Sequence, residues 1–299
     1  MKLRKILSIV LITCNRRDEI IKAIESCRTH TDREFELVVV DNNSTDGTES
    51  AVRSYCVEKN IPLQYHYLDR NTGVSFARNI GYREAIGDIL FFVDDDAVVI
   101  SECNSLDLVA DYMRANKEVM ACVGTSIDYR YGGKMPFVRS KSDKRQNYYQ
   151  VRSYVGFNHF IKKCFTDRDY IYPNNLFYGS EELYVGLSVL KYGGKIVNIN
   201  EHVVQHNPSV NTRIDRTLGL MNGHINTYII KRYFLKGILR SISTIMFDLR
   251  ILRFSKLKPS VIKKCRKLAC ERYDPVYENQ MTFHQTWNAI RQFGYRAIL

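Results

Sequence analysis

An α/β fold with a mostly parallel sheet is predicted for these 299 residues, and three observations carry the prediction. Apolar, β-branched runs alternate with stripes of helical spacing through the first hundred residues. Each run closes on a cluster of Asp, Asn, Ser or Thr, the pattern of strands that end in loops. A composition of 45% hydrophobic and 25% charged residues is that of an ordinary globular chain.

Leu7 to Ile12 is the first run, and its branched residues suit a strand buried on both faces. Asp18 to Cys27 places Ile20, Ile24 and Cys27 on one helical stripe. Phe35 to Val40 is the second strand, followed by Asp41-Asn42-Asn43-Ser44-Thr45-Asp46-Gly47. Thr48 to Lys59 reads as a helix, Leu63 to Leu68 as a short strand, Gly73 to Ile86 as a helix and Ile89 to Val93 as the fourth strand. That β-α-β-α-β-α-β order argues for a parallel, Rossmann-like sheet. Its strand ends gather Thr13–Arg17, Asp41–Gly47, Asp69–Gly73 and Asp94–Asp96 at one edge, where open α/β sheets bind ligands.

Residues 101–215 are less regular. Leu106 to Ala115 is expected to be helical, Met120 to Ile127 a strand, and Asp128 to Tyr154 a long polar loop or lid. Gly179 to Lys191 has helical spacing and stops at Gly193-Gly194, and Ile196 to Val204 resumes as strand. From Ile214 the pattern is helical, broken at Pro259, with a second short helix after it. Three segments follow: 1–100 and 101–215 as the halves of one domain, and 216–299 as a basic helical extension.

The net charge of +12 is concentrated there: residues 231–299 hold fifteen Lys and Arg against four Asp and Glu. Such a segment suits an anionic partner. Eight cysteines lie without a CxxC pair or zinc spacing, which points to a reducing, cytoplasmic compartment. The basic N-terminus before Ile6 to Ile12 lacks a cleavage site and reads as a buried first strand. No stretch is apolar enough to span a bilayer.

Asp94, Asp95 and Asp96 emerge directly after the buried run Ile89 to Val93. Adjacent carboxylates repel unless a cation neutralises them, and a hard divalent cation takes carboxylates, water and substrate phosphates. The plain alternative is an acidic turn. No GxGxxG follows the first strand and no Walker motif is present, so dinucleotide redox chemistry and P-loop chemistry lose their support. Thr13, Asn15, Arg16, Asp41, Asn43, Asp69, Asn71 and Gly73 stand at the strand ends instead. Carboxylates and amides there suit the N–H and hydroxyl groups of a nucleoside.

At four places the sequence resembles the family 2 glycosyltransferases of the GT-A fold. The carrying residues are Ser8–Arg16, Val38–Thr48, Asn71–Asn79 and Ala85–Asp96, in the family's order and spacing. The resemblance implies that Asp41 reads the base of a nucleotide sugar, most simply uracil, that Thr13 and Arg16 line its pocket, and that Arg78 lies near the nucleotide. Asp94 and Asp96 match the ends of the DxD motif, with Asp96 on a Mn²⁺ or Mg²⁺ ion, Asp94 on the ribose or a metal water, and Asp95 beside the donor. Asp41 could otherwise be a turn residue, and Arg78 a solvent-facing one. Gly179-Ser180-Glu181-Glu182 matches the family's acidic pair at a helix start, which makes Glu182 the catalytic base and Glu181 its neighbour. Here Glu replaces the commoner Asp, so which of the two acts stays open. Otherwise, acids in a first helical turn simply complement the dipole. His206 matches a histidine close to metal or diphosphate, and Gly156-Phe157-Asn158-His159 would face the acceptor.

The expected activity is metal-dependent, inverting transfer from a nucleotide-diphosphate sugar to a glycan or lipid-linked hydroxyl. The basic helices would lie on anionic lipid or pack on the domain; nucleic acid is not expected. A non-catalytic glycan- or membrane-binding subunit, or a nucleotidyltransferase, is the alternative.

Overall fold

The computed structural model describes residues 4–166, 168–208, 216–255, 258–295 and 298. The first half runs β1 (Arg4–Thr13), α1 (Arg17–Arg28), β2 (Phe35–Asp41), α2 (Thr48–Glu58), β3 (Leu63–Tyr67), α3 (Val74–Glu84) and β4 (Gly87–Asp94). Then come β5 (Ala97–Val99), α4 (Ser105–Ala115), β6 (Val119–Asp128), β7 (Gly133–Lys134), β8 (Tyr148–Val151), β9 (Asn158–Lys162), α5 (Glu181–Lys191) and β10 (Lys195–His206). Among the described residues four α-helices follow: α6 (Arg216–Phe234), α7 (Gly237–Phe254), α8 (Pro259–Arg272) and α9 (Phe283–Phe293).

All ten strands among the described residues join one sheet in the order β3-β2-β1-β4-β9-β6-β10-β5, with β7 on β6 and β8 on β10. β1 pairs in parallel with β2 and β4, β2 with β3, and β6 with β10. β9 runs antiparallel between β4 and β6, so the sheet is mixed where the second half enters it. Because β1 lies between β2 and β4, the crossover direction reverses there, and the carboxyl ends of β1 and β4 flank the crevice. Ile12 is in register with Asp94, and Thr13 with Asp41.

The two-residue period of β1 and β4 sorts the core. Ile9, Leu11, Phe91 and Val93 face the layer of α1 and α4, while Val10, Leu90 and Phe92 face that of α3 and α5. Glu36 is buried at the opposite end of the strands and fully used: Ser8 Oγ donates to it, as do the Ile86 and Gly87 amides. A third cluster joins Leu176, Tyr184 and Leu187 to Ile229, Tyr233 and Phe247. The basic helices therefore pack on α5, with buried apolar faces of their own.

Two expectations are corrected. The polar 128–154 segment is not one long loop, because β7 and β8 within it pair with β6 and β10. Edge strands leave half their side chains in water, so polar composition hides them. The helical pattern from Ile214, whose first residues lie outside the described ones, is not continuous to Pro259. It breaks at Leu235-Lys236, where Arg240 donates to the Leu235 and Arg232 carbonyls at 2.9 and 2.6 Å. Two helices, not one, then follow Pro259.

Candidate active site

The site starts from strand ends that tie to one another. Asn15 sits in the left-handed region, φ 54°, where its Oδ1 accepts from the Thr45 amide at 2.7 Å and its own amide donates to Ser44 Oγ. Asp41 is fully buried; one carboxylate oxygen accepts from the Ser44 amide and the other from the Tyr65 hydroxyl. Asn43, φ 73°, accepts from the Tyr67 hydroxyl. Asn42, absent from the expected set, latches the next loop: its Oδ1 accepts from both Thr72 N and Thr72 Oγ1 at 3.0 Å. Asn71 holds the Gly73 amide, and a Cβ on Gly73 would stand 2.5 Å from the Phe177 carbonyl, so only glycine fits. Asp69 is exposed and bonds to none of the described residues.

Asp94, Asp95 and Asp96 divide their contacts. Asp94 pairs with Arg78 at 2.8 Å. Asp95 is buried, and that burial pushes its carboxyl up to about 8 against the pull of Arg16. Asp96 is buried as well, yet hydrogen bonding and charge from His206 and Arg16 hold it below the ordinary carboxylate range. Its contacts are Arg16 Nη1 at 2.6 Å and His206 Nε2 at 3.0 Å.

His206 comes from 110 positions away. β5 lies antiparallel to the end of β10, pairing Ala97 with His206, and the Asn207 amide donates to the Asp96 carbonyl. The imidazole stacks on Phe157 at 4.5 Å, and its Nδ1 lies 2.8 Å from Asp128. Burial would lower its pKa, but Asp96 and Asp128 raise it. Asp94, Asp96 and His206 each offer one ligand atom, all within 4.8 Å of one another. Two carboxylate oxygens and an imidazole nitrogen are a fitting donor set for Mn²⁺ or Mg²⁺. Asp128 was missed from the sequence. The strand-end rule that found Asp94 would have found it too, because β6 runs parallel to β10 and ends on Asp128.

Facing these groups, Gly179 (φ 94°) and Ser180 (φ 67°) form a left-handed turn into α5. A non-glycine residue there costs on the order of 1 kcal/mol, and α6 holds it in place. Asn226 donates to the Tyr178 and Gly179 carbonyls at 3.0 and 2.8 Å, and Ser180 Oγ donates to the Gly223 carbonyl. The turn sets Glu181 and Glu182 as the first two residues of α5. Arg78, buried on α3, bridges the halves by donating to Asp94 and, at 2.9 Å, to Glu181. It is not the solvent-facing residue its type suggested. Glu182 is the freer acid; burial, then Glu181, push its carboxyl up to about 8. Gly156 leaves room for both groups: a Cβ there would lie 2.7 Å from Arg78 Nη2 and from Glu182 Oε1.

The expected acceptor face at 156–159 is corrected in part. Asn158 and His159 are fully buried, His159 stacking on Phe92 at 4.9 Å and bonding the Tyr172 hydroxyl. Strand β9 simply turns them inward. His202 is likewise a core residue, bonded to Ser105 and Asn158.

A mixed α/β sheet carrying carboxylates at its switch point is the architecture of the GT-A glycosyltransferases, and solved structures agree in fold. GalNAc-T7 with UDP, GalNAc and Mn²⁺ superposes with a TM-score of 0.65 at 16% identity, over 89% of this chain and 54% of that one. Mannosyltransferase PcManGT of Pyrobaculum calidifontis, with GDP-Man and Mn²⁺, gives 0.60 at 19%, over 89% and 75%. The chain belongs to glycosyl transferase family 2, whose model matches residues 8–172. Among curated relatives, the uncharacterized glycosyltransferase YfnE of Bacillus subtilis is 32% identical over 111 residues, 37% of this chain and 26% of that protein. The GalNAc(5)-diNAcBac-PP-undecaprenol beta-1,3-glucosyltransferase of Campylobacter jejuni is 32% identical over 97 residues, 32% of this chain and 31% of that protein. These matches span less than a third of either relative's length. Glu181, Glu182 and His206 lie beyond the family match.

Proposed function

We propose that the chain is a metal-dependent, inverting glycosyltransferase that moves a sugar from a nucleotide-diphosphate donor, UDP-linked in the simplest case, to a glycan or lipid-linked hydroxyl. The observation that carries this reading is the convergence of Asp94, Asp96 and His206 on one side of Arg78 with Glu181 and Glu182 on the other. Thr13, Asn15, Arg16, Asp41 and the Asn71–Gly73 loop would form the nucleoside pocket. The nucleotides in the fold neighbours, UDP in one and GDP-Man in the other, leave the base to be measured.

Glu182 would take the proton of the acceptor hydroxyl as its oxygen attacks the anomeric carbon. The bond to the diphosphate breaks on the opposite face, which inverts the configuration, and the diphosphate leaves with the bonding pair. Mn²⁺ or Mg²⁺ held by Asp94, Asp96 and His206 would stabilise the charge on that leaving group. Arg16 pairs with Asp96 here and is within reach of the same charge. Arg78 keeps Glu181 occupied in an ion pair, which leaves the proton chemistry to Glu182. A reducing, cytoplasmic setting belongs to this reading, since all eight cysteines are free.

A thermal-shift panel of nucleotide sugars with Mn²⁺ tests it. Stabilisation by one donor only when metal is present supports the reading. A panel without any binder defeats catalysis and favours a non-catalytic subunit.

A further inference from the structure

Helix α7 carries an apolar stripe that packing among the described residues does not use. On α7, Ile238, Ile245 and Leu249 are 76%, 59% and 59% exposed, and Ile242 between them is half-buried. Positions spaced four, three and four apart share one helix face. Phe247 and Ile251 anchor the opposite face in the core. Single exposed aliphatic residues are ordinary; a continuous row of them marks an interaction site.

Cations border the row. Exposed Arg253 lies one turn past Leu249. On the other flank, Asp248 pairs with Arg266 of α8, which brings α8 alongside. Exposed Lys263 stands one turn before Arg266 and exposed Lys267 next to it. Residues 237–272 hold ten Lys and Arg against two acids. A water-soluble protein partner could cover an apolar row, but it would need an acidic rim on both sides. An anionic bilayer supplies both features at once, acyl chains for the stripe and phosphates for its borders.

We infer that α7 lies in the interface of an anionic membrane, its isoleucine–leucine row inserted and the cations of α7 and α8 on lipid phosphates. No helix among the described residues is long and apolar enough to cross a membrane, so the contact is lateral. The placement also concerns the catalytic cleft, a step that rests on the transferase reading. Tyr228 of α6 stacks on Phe247 of α7 at 4.3 Å, and α6 holds the Gly179–Ser180 turn that aims Glu182. The lipid surface is thereby coupled to the base side of the cleft, and the acceptor it would present is lipid-linked.

Co-sedimentation of the full chain with phosphatidylcholine vesicles, with and without phosphatidylglycerol, tests the contact. Binding should need the anionic lipid and weaken with salt. The pair Ile245→Asp with Leu249→Asp, and separately Lys263→Glu with Lys267→Glu, should each weaken it by about tenfold or more. Both pairs should leave Mn²⁺-dependent nucleotide-sugar binding unchanged, which separates a failure here from a failure of the transferase reading. Equal binding to neutral vesicles, or unaltered binding by either pair, overturns the inference. So does a dimer of the parent chain that the Asp pair splits while vesicles are ignored, since the row is then a contact between two copies.

Discussion

On the donor side, Thr13, Asp41, Asp94 and Asp96 stand at the ends of parallel strands that follow one another in the chain. On the base side, Glu181 and Glu182 reach the cleft through a strained turn held by α6, while His206, which the second half lends to the metal cluster of the donor side, arrives through a strand end brought beside β5. The first half is therefore set by local rules and the second by tertiary contacts. Arg78 is where they meet, with one nitrogen on Asp94 and another on Glu181. Damage to the donor edge should abolish binding, whereas damage to the base side should spare binding and stop turnover.

Arg78→Ala should have the largest effect because it touches both sides. It leaves Glu181 buried without its cation, at a cost of about 3–5 kcal/mol. Calorimetric melting should show that loss, with donor binding and turnover both impaired; an unchanged melting temperature would mean the halves are not linked through it.

Glu182→Gln sharpens the base side. Turnover should fall by about 10²–10⁴, while the donor and Mn²⁺ dissociation constants stay as they are. Glu181→Gln should cost less, and a reversed order would hand the base role to Glu181.

Asp128→Asn probes a contact on the metal side. With the imidazole less firmly oriented, Mn²⁺ affinity followed by electron paramagnetic resonance should drop about 10- to 100-fold. Unchanged affinity would reduce Asp128 to a partner of Arg130, with which it also pairs.

The smallest effect is a pH dependence. The Glu182 carboxyl, ordinarily near 4.5, is raised to about 8 in the fold, so the folded state favours its neutral form. Its contribution to stability is full below the ordinary value and is lost as pH rises through about 8. Glu182→Gln should therefore raise the melting temperature at pH 9 by a few degrees, about 1 kcal/mol, with little change at pH 4. The parent enzyme's kcat/KM should rise with pH over the upper part of that window. A pH-independent difference in melting would show that the fold does not shift the Glu182 carboxyl from its ordinary value.

The same contrast explains what the sequence made legible. The four strands of the first half and their polar ends could be read because apolar runs, turn residues and helix stripes are all local signals. Asp96 belongs to that group. His206 was legible as a residue, and Asp128 follows a strand that was legible over Met120 to Ile127, but only the pairing of β6 with β10 brings the two together. The inward turn of His159 follows from the antiparallel entry of β9, which no local signal announces. The break between α6 and α7 depends on one arginine reaching back to two carbonyls. That Arg78 and Glu182 share the space left by Gly156 is likewise a tertiary fact.

Calorimetric titration of the donor identified by the panel, with Mn²⁺ present, into the parent chain, Asp96→Asn and Glu182→Gln tests the central claim most directly. The parent and Glu182→Gln should bind with the same affinity, and Asp96→Asn should lose metal-dependent binding. Full metal-dependent binding by Asp96→Asn, or its loss in Glu182→Gln, would contradict the division of the cleft into a donor edge and a base side.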